Sequence, residues 1–195
     1  MTPEKLLEVL GQASKLKTVK RHCWTEDDRR ESVADHCWRL SLMAMLVLAH
    51  EEFRNTDALK VIKMCLIHDL GESFTGDIPT FEKSDRDVSK EDSRFDEWVD
   101  SFPDPEKEEW RQLLEEIRQQ KTPESKLFLA LDKLEAIISH NESDMSTWLP
   151  LEYDLQLDYG QENMGFSEYI SSFRKRLDER TEKLIREAKR PEGGI

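Results

Sequence analysis

The run Val61-Ile-Lys-Met-Cys-Leu-Ile67, followed at once by His68-Asp69-Leu-Gly-Glu72-Ser-Phe-Thr-Gly-Asp77-Ile-Pro79, decides how this chain is read. Val61, Met64, Cys65 and Ile67 recur at helical spacing, and Thr56 or Asp57 is a suitable cap for a helix ending near Gly71. A charged carboxylate at the end of so apolar a helix is costly unless something compensates it, and a cation is an effective partner. Taken alone, His68-Asp69 reads as a histidine bonded to a carbonyl and an aspartate capping a turn. The neighbours change that reading. If the helix persists one more turn, Glu72 projects to the same face as His68 and Asp69, and Asp77 follows at a Gly76 turn that can point it back. Four such groups within ten residues look like a site rather than a solvated face.

Working outward, Ser32 opens the preceding helix with Asp35 three residues on, a capping box with Asp in place of Glu. Val33, Cys37, Leu40, Ala44 and Val47 carry that helix towards Glu52, and His36 lies near its start. A short connection makes the two helices antiparallel neighbours, so His36 and His68 could reach one ion. Asp132, between Leu131 and Leu134, is again a carboxylate in an apolar helical stretch; Lys133 and Lys126 could pair with it but are expected to face solvent. Two imidazoles and two carboxylates suit Zn, Mn, Co, Fe or Ni, and nitrogen ligation argues against Ca. They also leave positions for water and substrate.

Elsewhere the pattern is helical: Pro3 to about Leu16 with Thr2 as cap, Val88 to Phe102, Asp104-Pro105 to about Gln120, Thr122-Pro123 through Ile138, and about Ser167 to Lys189. Lys17–Glu31 reads as a polar loop, Asp144–Gly165 as irregular and aromatic, and Pro191–Ile195 as a frayed tail. No strand-like alternation or internal repeat is evident. The expectation is a single all-α domain over residues 1–195.

Composition bounds the function. A net charge of −13, from 42 acids and 29 bases, argues against coating a nucleic acid polymer. A single nucleotide phosphate is still accessible, since a metal and one or two arginines can neutralise it locally. The three cysteines lack CxxC spacing and read as free thiols in a reducing compartment. No signal peptide and no membrane-spanning apolar run is apparent, so a cytoplasmic location is expected.

His36, then His68-Asp69, then Asp132 resembles the H…HD…D signature of the HD-domain metal-dependent phosphohydrolases. Glu31-Ser-Val-Ala-Asp-His36 and His68-Asp69-Leu-Gly-Glu72-Ser-Phe-Thr-Gly-Asp77-Ile-Pro79 are similar to the branch of bacterial 5′-deoxynucleotidases and their eukaryotic relatives, over about Leu6 to Asn141. The resemblance implies an HD-type helical bundle in which His36, His68, Asp69 and Asp132 hold one divalent ion. It implies that Glu72 orients or deprotonates the attacking water, that Asp77 assists at the phosphate or leaving group, and that Arg21 contacts the phosphate.

It further implies a nucleoside 5′-monophosphate substrate, with a homodimer possible. The chain departs from the branch at His22, where an aromatic usually stands, so Trp24 either stacks on base or sugar or belongs to the core. Arg30, where relatives commonly have proline, is either a second phosphate contact or a solvated charge. Residues 139–153 either wall the site, with His140 facing it, or pack a loop. The alternatives to a nucleotidase are an HD-type hydrolase of another phosphate ester, pyrophosphate or phosphonate, and a regulatory module that has kept the metal but lost catalysis.

Overall fold

The computed structural model describes residues 1–25 and 29–188. Helix α1 spans Pro3–Ala13, capped by the Thr2 hydroxyl, and runs into a 3-10 turn at Ser14–Lys17. Strands β1 (Lys20–Trp24) and β2 (Arg30–Ser32) then pair antiparallel, with Lys20 opposite Ser32 and an irregularity before Trp24 meets Arg30. This hairpin corrects the expected loop. Five residues exposed or half-buried on most sides show no clear two-residue period, and a lone two-stranded ribbon is marginal by itself. It is held by tertiary packing instead. The Ser143 hydroxyl accepts from the Trp24 N–H at 2.9 Å and donates to the Trp24 carbonyl at 3.0 Å.

Helix α2 (Val33–Val47) starts on the expected capping box: Ser32 Oγ accepts from Asp35 N, and Asp35 Oδ2 accepts from Ser32 N. It ends sooner than expected, before a 3-10 turn at Glu51–Phe53. Helix α3 (Ala58–Ile67), capped by Asp57, also stops short of Gly71. The chain turns tightly through His68–Gly71 into a single helical turn, α4 (Glu72–Thr75), closed by Gly76 at φ 83°. Helix α5 (Asp85–Asp100) begins three residues before its expected start, on a Ser84/Asp87 capping box. Helix α6 (Glu106–Gln119) has Pro105 itself at the cap position, not Asp104.

Helix α7 (Pro123–Glu142), opened by Thr122, is the axis of the molecule and packs against α2, α3, α6, α9 and β1. Leu127, Ala130, Leu131, Leu134 and Ile137 are all fully buried, with Leu40 and Ala44 of α2 and Val61, Met64 and Cys65 of α3. Close packing of this kind is what fixes helices to within fractions of an ångström. Residues 144–165 are more regular than expected, because they include α8 (Glu152–Asp158). Helix α9 (Glu168–Ala188) completes the bundle; the expected end at Lys189 and the tail beyond lie outside the described residues. The fold is all-α apart from the hairpin. All three cysteines are free and buried, and among the described residues no helix is long and apolar enough to cross a membrane.

The capping box sets where α2 begins, three residues before His36. Ser32→Ala should therefore lower stability by about 1 kcal/mol, the usual worth of an N-cap hydroxyl. A urea midpoint unchanged from wild type would show that the cap contributes nothing.

Candidate metal centre

His36 on α2, His68 and Asp69 at the end of α3, and Asp132 on α7 meet at one point. His36 Nε2 lies 3.3 Å from His68 Nε2, 3.7 Å from Asp69 Oδ2 and 3.1 Å from Asp132 Oδ1. His68 Nε2 is 3.1 Å from Asp69 Oδ2 and 3.4 Å from Asp132 Oδ1. Ligand atoms about 2.0–2.2 Å from a shared ion sit roughly 3.0–3.6 Å apart; His36, His68 and Asp69 offer donor atoms all within 4.8 Å of one another, a group able to hold a metal ion, and Asp132 Oδ1 lies beside both imidazoles. The tautomers fit as well. His68 Nδ1 faces the Cys65 carbonyl at 3.1 Å, and His36 Nδ1 faces Glu135 Oε2, so each ring donates through Nδ1 and presents the Nε2 lone pair to the centre.

Electrostatics follows from burial. The largest influence on His68 is burial, which opposes its charged form, yet Asp69 and Asp132 outweigh it and hold its pKa up at about 10. Burial likewise works against the Asp69 carboxylate, but His68 and His36 pull it down to about 2. Asp132 is lowered too, by Lys133 and both histidines against its burial. The two carboxylates thus favour positive charge at this point, on the imidazoles themselves or on a divalent ion that would take the place of the proton at Nε2.

Glu72 and Asp77 stand beside this point. Glu72 is 4% exposed, and its Oε2 has no hydrogen-bond partner. Burial, then Asp69, Asp77 and Glu91, push its carboxyl up to about 10, with Lys83 acting against them. Asp77 is itself raised by burial, against the pull of Arg21. A cation next to Asp69 lowers both. The orphaned Glu72 oxygen fits a water held between it and an ion.

Arg21, on β1, is buried between Glu31 Oε2 at 3.6 Å and Glu135 Oε2 at 3.5 Å. Its Nη1, the atom that faces Glu135, makes no closer hydrogen bond. Asp77 and Arg21 also line a cleft with His22, Phe81, His140, Glu152, Gln156 and Tyr159. Trp24 is not among its lining residues: the Arg30 guanidinium sits 4.3 Å from the centroid of its ring. His140 does line the cleft, as does the N-terminal end of α8.

Three features escaped the sequence reading. Lys133 does not face solvent: its ammonium donates to Asp132 Oδ2 at 3.2 Å and to the Tyr159 hydroxyl at 2.9 Å. Glu135, fully buried, grips His36 Nδ1 while accepting from Arg39 Nε at 2.6 Å. Glu31 joins the same network through Ser139 Oγ at 2.7 Å. A carboxylate at 135 inside Leu131–Ile137 carried the same signal as Asp132. Only the packing showed which imidazole it served.

Glu135→Gln removes the charge behind His36 but keeps a group of the same shape. Divalent-ion affinity should weaken about 10–100-fold in a calorimetric titration, the usual effect of losing such support; equal affinity would refute the role.

His140 offers a pH test. Its Nε2 is 3.4 Å from Glu152 Oε2 but makes no hydrogen bond, its Nδ1 faces the Cys23 thiol at 3.6 Å, and its ring packs on Trp148 and stacks with His22. The nearby carboxylate would favour the charged form, but without alignment burial and His22 prevail and lower the pKa to about 4. The unfolded chain takes up this proton below about 6.5, so the contribution is lost as pH falls from about 6.5 to 4. His140→Asn should have a flatter stability–pH curve than wild type across that window, and parallel curves would count against it.

Residues 13–173 match the HD-domain family. A 5′-deoxynucleotidase of Dictyostelium discoideum is 33% identical over 144 residues, 70% of this chain and 76% of that protein. One from Homo sapiens is 29% identical over 141 residues, 70% of this chain and 67% of that protein. A crystal structure of a protein described as a predicted metal-dependent phosphohydrolase, from Magnetospirillum magnetotacticum MS-1, has a TM-score of 0.75 at 24% identity and covers 92% of both chains. A conserved hypothetical protein from Pyrococcus furiosus has a TM-score of 0.67 at 26% identity, covering 91% of this chain and 99% of that one. The family match takes in α2, α3 and α7 with every converging donor, and the chain belongs to the HD-domain family.

Proposed function

We propose that this chain is a metal-dependent phosphomonoester hydrolase acting on deoxynucleoside 5′-monophosphates, with His36, His68, Asp69 and Asp132 holding one divalent ion. The observation that carries the reading is the convergence of these four donors beside the unpartnered carboxylate oxygen of Glu72 and within the field of Arg21. Relatives named 5′-deoxynucleotidase, from Dictyostelium discoideum and Homo sapiens, support the substrate class.

Each residue's task follows from its place. The bound ion supplies Lewis acidity, polarising a phosphoryl oxygen and making water a better nucleophile near neutral pH. Glu72 orients that water and takes its proton, with its carboxylate held in a site dry enough to make the transfer effective. Asp77, which lines the cleft and whose carboxyl is raised by burial, hands a proton towards the departing ribose oxygen. Arg21 lines the cleft and turns its guanidinium charge to the phosphate, stabilising charge that grows on the equatorial oxygens. Glu31 and Glu135 hold that guanidinium in place, so little side-chain freedom is lost when substrate arrives.

The test is phosphate release from a panel of nucleoside monophosphates with Mn, Co or Zn present. Glu72→Gln should keep the ion and lower kcat by roughly 10²–10⁴, the range for loss of a general base, whereas Asp69→Ala should lose ion and turnover together. Metal-loaded protein that binds nucleotides without releasing phosphate would instead be a regulatory module.

A further inference from the structure

The wall of the cleft furthest in sequence from the metal donors has chemistry of its own. Glu152, Leu155, Gln156 and Tyr159 are spaced at i, i+3, i+4 and i+7, so one face of α8 and the residue just after it line the cavity. Gln156 is the unusual member. It is 7% exposed, it lines the cleft, and its carboxamide Oε1 has no hydrogen-bond partner. A buried acceptor left unpaired in a polar cleft costs stability unless a ligand satisfies it.

The wall is also fixed in place. Arg174, 2% exposed, donates to the main-chain carbonyls of Gln156 at 3.2 Å and Leu157 at 2.7 Å, and to that of Tyr159. A guanidinium on the last carbonyls of a helix satisfies orphan acceptors and complements the dipole. Tyr159 accepts from Lys133, which in turn donates to Asp132, so the wall is tied to the metal centre through two hydrogen bonds. Gly160 lets the chain pass: at φ 70° it lies against Lys133, whose Cβ would be 2.7 Å from any added Cβ. The surrounding aromatic surface comes from His22, whose Nε2 meets Glu152 Oε1 at 2.9 Å, and from Phe81, which the His22 ring meets edge-on at 5.5 Å.

We infer that this α8 face binds the nucleobase and that Gln156 determines which base, its free carbonyl oxygen accepting from an exocyclic amino group of the kind adenine and cytosine carry. The inference rests on the nucleotidase reading and deepens it. Arg21 and Asp77 are shared by the cleft and the surroundings of the metal centre, so a monophosphate bound at that end extends its nucleoside along the cleft towards α8. An acceptor fixed in a buried site discriminates strongly, because a base without the matching donor leaves it unpaired.

The test compares kcat/KM for dCMP, dAMP, TMP and the base-free ester 2-deoxyribose 5-phosphate, in wild type and in the near-isosteric Gln156→Met. Wild type should prefer dCMP and dAMP to both other substrates. In Gln156→Met the ratio of dCMP to 2-deoxyribose 5-phosphate should fall about tenfold, the worth of one hydrogen bond, through KM rather than kcat. Binding of deoxycytidine, followed calorimetrically, should weaken by the same factor. Gln156→Glu, which keeps an acceptor at the same reach, should retain the preference for dCMP over TMP. A ratio unchanged in Gln156→Met overturns the inference. So does a wild-type enzyme that cleaves the base-free ester as efficiently as dCMP, a comparison that does not depend on how the variants fold and leaves the phosphomonoesterase reading intact. Hydrolysis of none of the four overturns both.

Discussion

The contact on which the rest depends is that between Glu135 and His36. Both side chains are fully buried, and a carboxylate in that position is tolerable only when its oxygens are occupied. Glu135 meets this condition by facing His36 Nδ1 with one oxygen and accepting from Arg39 Nε with the other, while Arg21 approaches at 3.5 Å. His36 and Arg21 together bring it down to about 2 despite its burial. One carboxylate therefore sets two things. It fixes the His36 tautomer with Nε2 towards His68 and Asp132, and it holds the Arg21 guanidinium at the head of the cleft.

That arrangement explains why α7 is the axis of the fold. Its apolar residues, Leu127, Leu131 and Leu134, pack against α2 and α3, and between them project Asp132 and Glu135, three residues apart. Asp132 reaches His36 Nε2 and Glu135 reaches His36 Nδ1, so the same helical turn supplies a proposed ligand and the support of another. The packing core and the polar centre are interleaved on one helix. Shifts that loosened the apolar contacts would also misplace the donors, because close-packed interiors transmit displacement rather than absorb it. The Lys133 ammonium extends this turn in the other direction, to Tyr159 at the end of α8. Chemistry and substrate wall are keyed to a single segment, residues 132–135.

How much of this was legible in the sequence differs from residue to residue. The helices were readable because their caps are local: Thr2, Ser32, Asp57 and Thr122 each bond to a backbone N–H three residues on. The candidate metal donors were readable because a carboxylate in an apolar helix is a local anomaly. The hairpin at 20–32 was not, since what stabilises it is Ser143, more than a hundred residues away. Lys133 looked solvated for the same reason: nothing near it in the chain announces Tyr159. Trp24 was the natural aromatic to assign to the substrate, and Arg30 on the facing strand covers it. Wherever a role depends on a partner distant in sequence, pattern gives the residue type and only packing gives the task.

The overall charge makes a last point about mechanism. A chain of net charge −13 must bring a phosphate dianion next to Asp69, Glu72, Asp77 and Asp132. The fixed cations nearest to them are Arg21, held by Glu31 and Glu135, and Lys133 and Lys83, each already paired with a carboxylate. Each of these positive charges is largely spent on a neighbour, and in a buried site the residual field on an incoming anion is repulsive. A divalent ion held by His36, His68, Asp69 and Asp132 would reverse that sign. Metal dependence here is therefore first a condition for binding and only then a source of nucleophile.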